Sequence, residues 1–117
     1  MIADSVNIPI IVYNVPSRTG CAIQPQTYVE LAKHPNICGI KEANGNISAI
    51  AQTIALCGDM IDIYSGNDDQ VVPIMSLGGK GVISVFANVC PKESHDLTEA
   101  MLQGNMKKGC RASVKNI

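Results

Sequence analysis

The chain has 117 residues, room for one small domain around a single core. It is 46% apolar and 16% charged with a formal net charge of -1, a balance that excludes a disordered segment and makes nucleic acid and anionic membrane poor partners. No apolar run reaches the ~18 residues of a membrane span, and the opening Met1-Ile-Ala-Asp-Ser5 has no basic segment followed by a long apolar one, so neither a membrane helix nor a secretory leader is expected.

Four short apolar runs rich in β-branched residues predict strands over 8–13, 37–41, 61–65 and 81–85. Each is nearly continuous in apolar character, which suits strands covered on both faces of a parallel sheet. Helical patterns follow each strand. The first spans 25–33, with Pro25 at a first helical position and Tyr28, Leu31 and Ala32 on one face. The second spans 47–57, with Ile47, Ile50, Ala51 and Ile54 in register and Gly58 as its stop. The third spans 70–77 on Val71, Ile74 and Met75, and the fourth spans 92–103 on Leu97, Ala100 and Met101. A last amphipathic stretch over 106–117 aligns Met106, Cys110, Val114 and Ile117. Strands alternating with helices imply right-handed crossovers and one parallel sheet over 1–117, a single α/β domain. On pattern alone two architectures stay open. One is a small four-stranded doubly wound domain; the other is part of a (β/α)8 barrel, which in full needs ~250 residues.

The five cysteines, Cys21, Cys38, Cys57, Cys90 and Cys110, show no C-x-x-C pair and no zinc-type spacing, so reduced thiols in a cytoplasmic protein are expected. His34 and His95 sit in polar stretches and are expected at the surface. Asp68 and Asp69 have no histidine or third carboxylate at ligand spacing; no metal is expected, and the pair is read as capping the helix over 70–77 and complementing the dipole at its amino end.

In α/β folds chemistry collects at the carboxyl ends of strands. Lys41 ends the second strand. Such a lysine either reaches to solvent or is held in a semi-apolar site, where burial frees a neutral amine able to condense with a ketone. Tyr13 ends the first strand, either as a packed aromatic or as a proton-passing phenol. Arg18 follows in a Pro/Ser/Gly loop, either as a plain surface cation or as a fork for a carboxylate. The run Gly78-Gly79-Lys80-Gly81 precedes a strand, so it is not a phosphate-cradling loop.

Taken together, four segments carry a resemblance. Tyr13-Asn-Val-Pro-Ser-Arg-Thr-Gly20, Gly39-Ile-Lys-Glu-Ala-Asn-Gly45, Ser65-Gly-Asn-Asp68, and Leu77-Gly-Gly-Lys-Gly-Val-Ile-Ser-Val85 with Ala87-Asn88 resemble, in order and spacing, the signatures of the dihydrodipicolinate synthase family, from about residue 8 to 105. The resemblance implies four βα units of a TIM (β/α)8 barrel, strands five to eight, plus a final helix. It implies an aldolase-type lyase that condenses pyruvate, held as a lysine imine, with aspartate semialdehyde in diaminopimelate and lysine biosynthesis. Lys41 corresponds to the imine lysine, Tyr13 to the proton relay, Arg18 to the receiver of the semialdehyde carboxylate, and Gly66 and Ile83 to positions lining the pyruvate pocket. No cofactor is implied beyond the covalent imine at Lys41, and a homo-oligomer is. The family's earlier strands, its paired threonines and its second tyrosine have no counterpart here, so poor activity of this chain alone is expected. Two other readings stand beside it: a related class I pyruvate aldolase such as an N-acetylneuraminate or keto-sugar lyase, which would not need Arg18, and a non-catalytic half-barrel that self-associates through its sheet edges.

Overall fold

The computed structural model describes residues 1–116. Four parallel strands, β1 (Ile10–Asn14), β2 (Ile37–Glu42), β3 (Asp62–Ser65) and β4 (Gly81–Val82), lie side by side in the order β1-β2-β3-β4. Helix α1 (Pro16–Thr19) and α2 (Pro25–Ala32) connect β1 to β2, α3 (Ile47–Cys57) connects β2 to β3, and α4 (Val71–Ser76) connects β3 to β4. Helices α5 (Pro91–Leu102) and α6 (Met106–Asn116) follow.

The strand order decides the architecture. A doubly wound sheet reverses its winding at a switch point; here every strand pairs with its sequence neighbour, and right-handed crossovers in one direction carry every helix to the same face. The result is an arc of barrel wall rather than a two-sided sheet. The core lies between strands and helices, where Tyr28, Ile37, Ile40, Ile50, Cys57, Ile61, Ile63 and Ile74 are buried together. A second cluster, Val71, Met75 and Leu97, joins α4 to α5. Burying an isoleucine of this kind stabilises by about 1.5–3 kcal/mol, so the helix side supplies most of the driving force.

The continuous apolar runs do not mean cover on both faces. Val12, Ile40 and Ile63 share one register row toward the helices, whereas Ile11 and Tyr13 are 45% and 46% exposed on the opposite face. Among the described residues nothing packs over that second face, which in a barrel wall is the interior side. The fourth strand is also shorter than its apolar run. After Val82 the Ile83 amide still donates to Ser65 O at 2.9 Å, but the chain then turns into a 3₁₀ turn at Phe86–Asn88.

The last helix is shifted in its facing. Met106 and Val114 are 45% and 75% exposed and Cys110 is exposed, while Gly109 and Ser113 are buried. Close approach of α5 and α6 is the reason: a Cβ at Gly109 would collide with Met101 Sδ, so small residues and not the apolar stripe make the contact. Ile117, the last member of that stripe, lies outside the described residues. His95 is exposed as expected, but His34 is half-buried and its Nε2 lies 2.8 Å from Asp4 Oδ1. All five thiols are free.

Candidate active site

Tyr13 and Lys41 are register partners on adjacent parallel strands, and both project from the open face. The next residues, Asn14 and Glu42, are also partners and point to the helix side. The period of two therefore separates an open-face pair, Tyr13 and Lys41, from a buried polar pair at the same strand ends. Lys41 Nζ stands over the Tyr13 ring, 4.1 Å from its centroid. The negative ring face favours a cation there by about 0.5–1 kcal/mol at a partly exposed site.

Arg18 reaches the same region through α1. Pro16 occupies the first helical position, where its missing N–H costs nothing. Thr19 donates its hydroxyl hydrogen to Val15 O at 3.3 Å, and Gly20 ends the turn at φ 69°, a conformation that favours glycine. The fixed turn sets the Arg18 side chain beside a cleft of about 390 Å³ that Tyr13, Lys41, Gly66, Asp68 and Val85 also line.

Gly66 is required by packing. Its amide donates to Glu42 O at 2.8 Å, and a Cβ there would lie 2.8 Å from Ala43 Cβ and 3.2 Å from Lys41 Cγ. The bare backbone of the β3 end thus rests directly against the lysine stem. Ile83, 38% exposed, stands outside the wall of this cleft, where Val85 lines the side nearest β4. Tyr13, Arg18, Lys41 and Gly66 are thus brought together, and Ile83 is not.

Asp68 does not cap α4. Its Oδ1 accepts from Ser84 Oγ and its Oδ2 accepts from the Phe86 amide at 3.0 Å, so the carboxylate ties the loop after β3 to the loop after β4. Among the described residues no three of His, Cys, Asp or Glu are grouped to hold a metal ion, and no helix is long and apolar enough to cross a membrane.

Sequence motifs alone did not single out the polar cluster behind the sheet. Glu42, Asn14 and Tyr28 are each 1% exposed. Glu42 Oε1 accepts from Asn14 Nδ2 at 2.9 Å and from the Asn44 amide at 3.0 Å, and Oε2 accepts from the Tyr28 hydroxyl at 2.8 Å. Asn14 Oδ1 accepts in turn from the Ile23 amide at 3.2 Å. Burial pushes the Glu42 carboxyl above its ordinary value, against the pull of these donors, and the same burial with the neighbouring carboxylate pushes the Tyr28 phenol up. One signal was available: if Lys41 faces the open side, period two sends Glu42 inward, where an acid must find donors.

The model of the dihydrodipicolinate synthetase family matches residues 1–115. The chain belongs to that family. It is 59% identical over 114 residues to a 4-hydroxy-tetrahydrodipicolinate synthase of Caldicellulosiruptor saccharolyticus, covering 97% of this chain and 38% of that protein. It is 60% identical over 103 residues to 4-hydroxy-tetrahydrodipicolinate synthase 1 of Clostridium acetobutylicum, covering 88% of this chain and 35% of that one. The crystal structure of dihydrodipicolinate synthase from Aquifex aeolicus superposes with a TM-score of 0.94 at 38% identity, over 97% of this chain and 39% of that one. The chloride-inhibited enzyme of Acinetobacter baumannii, in complex with pyruvate, superposes with a TM-score of 0.93 at 36% identity, over the same shares of the two chains. The chain thus spans about 38% of the length of the curated relatives it matches. Its four parallel strands and helices form a partial TIM barrel of this family.

Proposed function

We propose that this chain carries the imine-forming half of a 4-hydroxy-tetrahydrodipicolinate synthase site, with Lys41 as the nucleophile toward pyruvate. The observation that carries the reading is the convergence of Lys41, Tyr13, Arg18 and Gly66 on one cleft at the carboxyl ends of β1 to β3. Each residue type fits a distinct need.

The Lys41 amine adds to the ketone carbon of pyruvate and water leaves, giving an imine whose protonated form is cationic. The Tyr13 ring face, already under Nζ, favours that cation, and the phenol is the group at hand to pass the protons that addition and dehydration require. The imine draws electrons from the adjacent methyl, which loses a proton to give an enamine nucleophile toward the aldehyde of aspartate semialdehyde. Arg18 offers its guanidinium to the carboxylate of that second substrate. Gly66 keeps the floor beside the lysine stem flat enough for the small keto acid, and Ile83, outside the cleft itself, holds the β3 end through its amide bond to Ser65 O. No organic cofactor enters this scheme. β1 to β4 take the places of strands five to eight in the eight-stranded barrel, and further strands complete the pocket, in a homo-oligomer. A proton relay acts as a unit, so this chain alone is expected to form the imine and to turn over poorly.

The test is direct. Incubation with pyruvate and sodium borohydride, followed by intact mass and peptide mapping, is expected to give one reduced adduct on Lys41 that Lys41→Arg removes. A folded chain by circular dichroism that yields no adduct overturns imine formation by this chain.

A further inference from the structure

We propose that Glu42 is a positioning residue for the Lys41–Tyr13 pair. The inference rests on the imine reading above but is argued from the opposite face of the sheet. Asn14 and Glu42 are the last residues of β1 and β2 and are register partners, one step beyond Tyr13 and Lys41. Beyond them the chains part: β1 runs into α1, and β2 runs into the turn before α3. Past the pair, the Ala43 amide donates to Asn14 O at 2.9 Å. Strand ends of this kind open at low free energy, and an opening here would separate the lysine from the ring.

The Glu42 carboxylate closes that end from behind. It gathers Asn14 of β1, Tyr28 of α2 and the Asn44 amide, three donors from three segments, onto two oxygens. Asn44 Oδ1 then accepts from the Asn46 amide at 2.8 Å, and Asn46 Oδ1 caps α3 at the Ala49 amide, 3.1 Å away. The clamp therefore runs from β1 through β2 to the first turn of α3. A glutamine keeps an oxygen for two of the donors but turns an N–H₂ toward the Tyr28 hydroxyl, whose hydrogen then lacks its acceptor. A carboxylate satisfies all three. Burying it uncompensated by any cation is costly, and in a purely structural role well-packed apolar groups would serve as well or better.

The experiment reads the pair itself. In the full chain labelled with ¹³C, the Lys41 Hε protons are expected upfield of those of the exposed Lys33 and Lys80, because they lie over the Tyr13 ring; Lys41→Arg assigns the resonance. Glu42→Gln is expected to keep the circular-dichroism spectrum and lose most of that ring-current shift, and Tyr28→Phe, which leaves the carboxylate in place, to lose part of it. Pyruvate trapping should fall by about tenfold or more in Glu42→Gln, since misplacement on the order of 1 Å can cost about a hundredfold. An unchanged Lys41 shift in a folded Glu42→Gln overturns the proposal. If Glu42→Gln does not fold, Tyr28→Phe decides alone, and an unchanged shift there overturns it equally. The unmodified chain separates the two ideas: no pyruvate adduct with the ring-current shift present sinks the imine reading and leaves positioning to be judged on the shift.

Discussion

Lys41 Nζ lies 4.1 Å from the centre of the Tyr13 ring because the two residues are register partners on the open face of adjacent parallel strands. Ring and hydroxyl can be separated by substitution. Tyr13→Phe keeps the face beneath the amine and removes the phenol, so the pyruvate adduct at Lys41 should form roughly a hundredfold more slowly, the low end of what a positioned acid–base group supplies. Tyr13→Leu should lose a further ~0.5–1 kcal/mol through the missing cation–ring contact. The time course of borohydride trapping measures both. Equal rates for Tyr13→Phe and the parent would remove the phenol from the proton path.

Arg18 stands exposed on the short α1 turn and makes no core contact. Arg18→Ala should leave stability within ~0.5 kcal/mol, as surface changes usually do. It should also leave the pyruvate adduct intact. What should weaken is capture of a second, carboxylate-bearing substrate, by about 1.5–3 kcal/mol, the worth of hydrogen bonds to a charged group. Competition between trapping and aspartate semialdehyde reads this. Loss of the adduct itself in Arg18→Ala would show that the arginine serves the first substrate.

The places of Tyr13, Lys41 and Arg18 were legible in the sequence because they sit in short motifs at strand ends, and strand ends follow from apolar runs bounded by Gly, Pro and Asn. The helices over 47–57 and 92–103 were legible for the same reason, periodicity with clear stops. The winding was not legible in the periodicity: four βα units read alike in a doubly wound sheet and in a barrel wall. The motif resemblance pointed to the barrel, and the pairing of each strand with its sequence neighbour bears it out. The open face was hidden too, since Ile11 is apolar whether a layer covers it or a barrel interior does. In α6 the stripe of Met106, Cys110 and Val114 predicted the wrong side, because Gly109 lets Met101 come close and packing distance outranks hydrophobic period. Asp68 was misread as a cap: nothing local indicates that its partners are Ser84 and Phe86, sixteen and eighteen residues on.

Glu42 predicts a pH dependence of stability with a definite sign. Its carboxyl is held above the ordinary value of 4.5 by burial, so the folded state binds this proton more tightly than the unfolded chain does. Its contribution to stability is then fully present below about pH 4.5 and is lost as pH rises through the folded-state value. Other groups add their own slopes. The difference between parent and Glu42→Gln cancels them. Melting temperatures measured from pH 4.5 upward should therefore fall more steeply for the parent than for Glu42→Gln. Parallel curves would mean that the donors from Asn14, Asn44 and Tyr28 fully offset burial.

Gly66 supplies the sharpest packing test. A Cβ at this position would sit 2.8 Å from Ala43 Cβ and 3.2 Å from both Lys41 Cγ and Glu42 O, so either the lysine stem or the β2 end must move. Over-packing of this size costs about 1–3 kcal/mol. Gly66→Ala should lower the melting temperature and, because the crowded groups are the lysine stem and the two residues that follow it, should slow adduct formation more than the loss of folded protein explains. Gly81→Ala is the matched control on the neighbouring strand: its Cβ would meet Tyr64 Cδ1 at 3.7 Å, an ordinary contact. It should leave both the melting temperature and the trapping rate near those of the parent. If Gly66→Ala loses stability while trapping per folded molecule stays at the parent rate, the glycine serves the sheet alone and the lysine is held by other contacts.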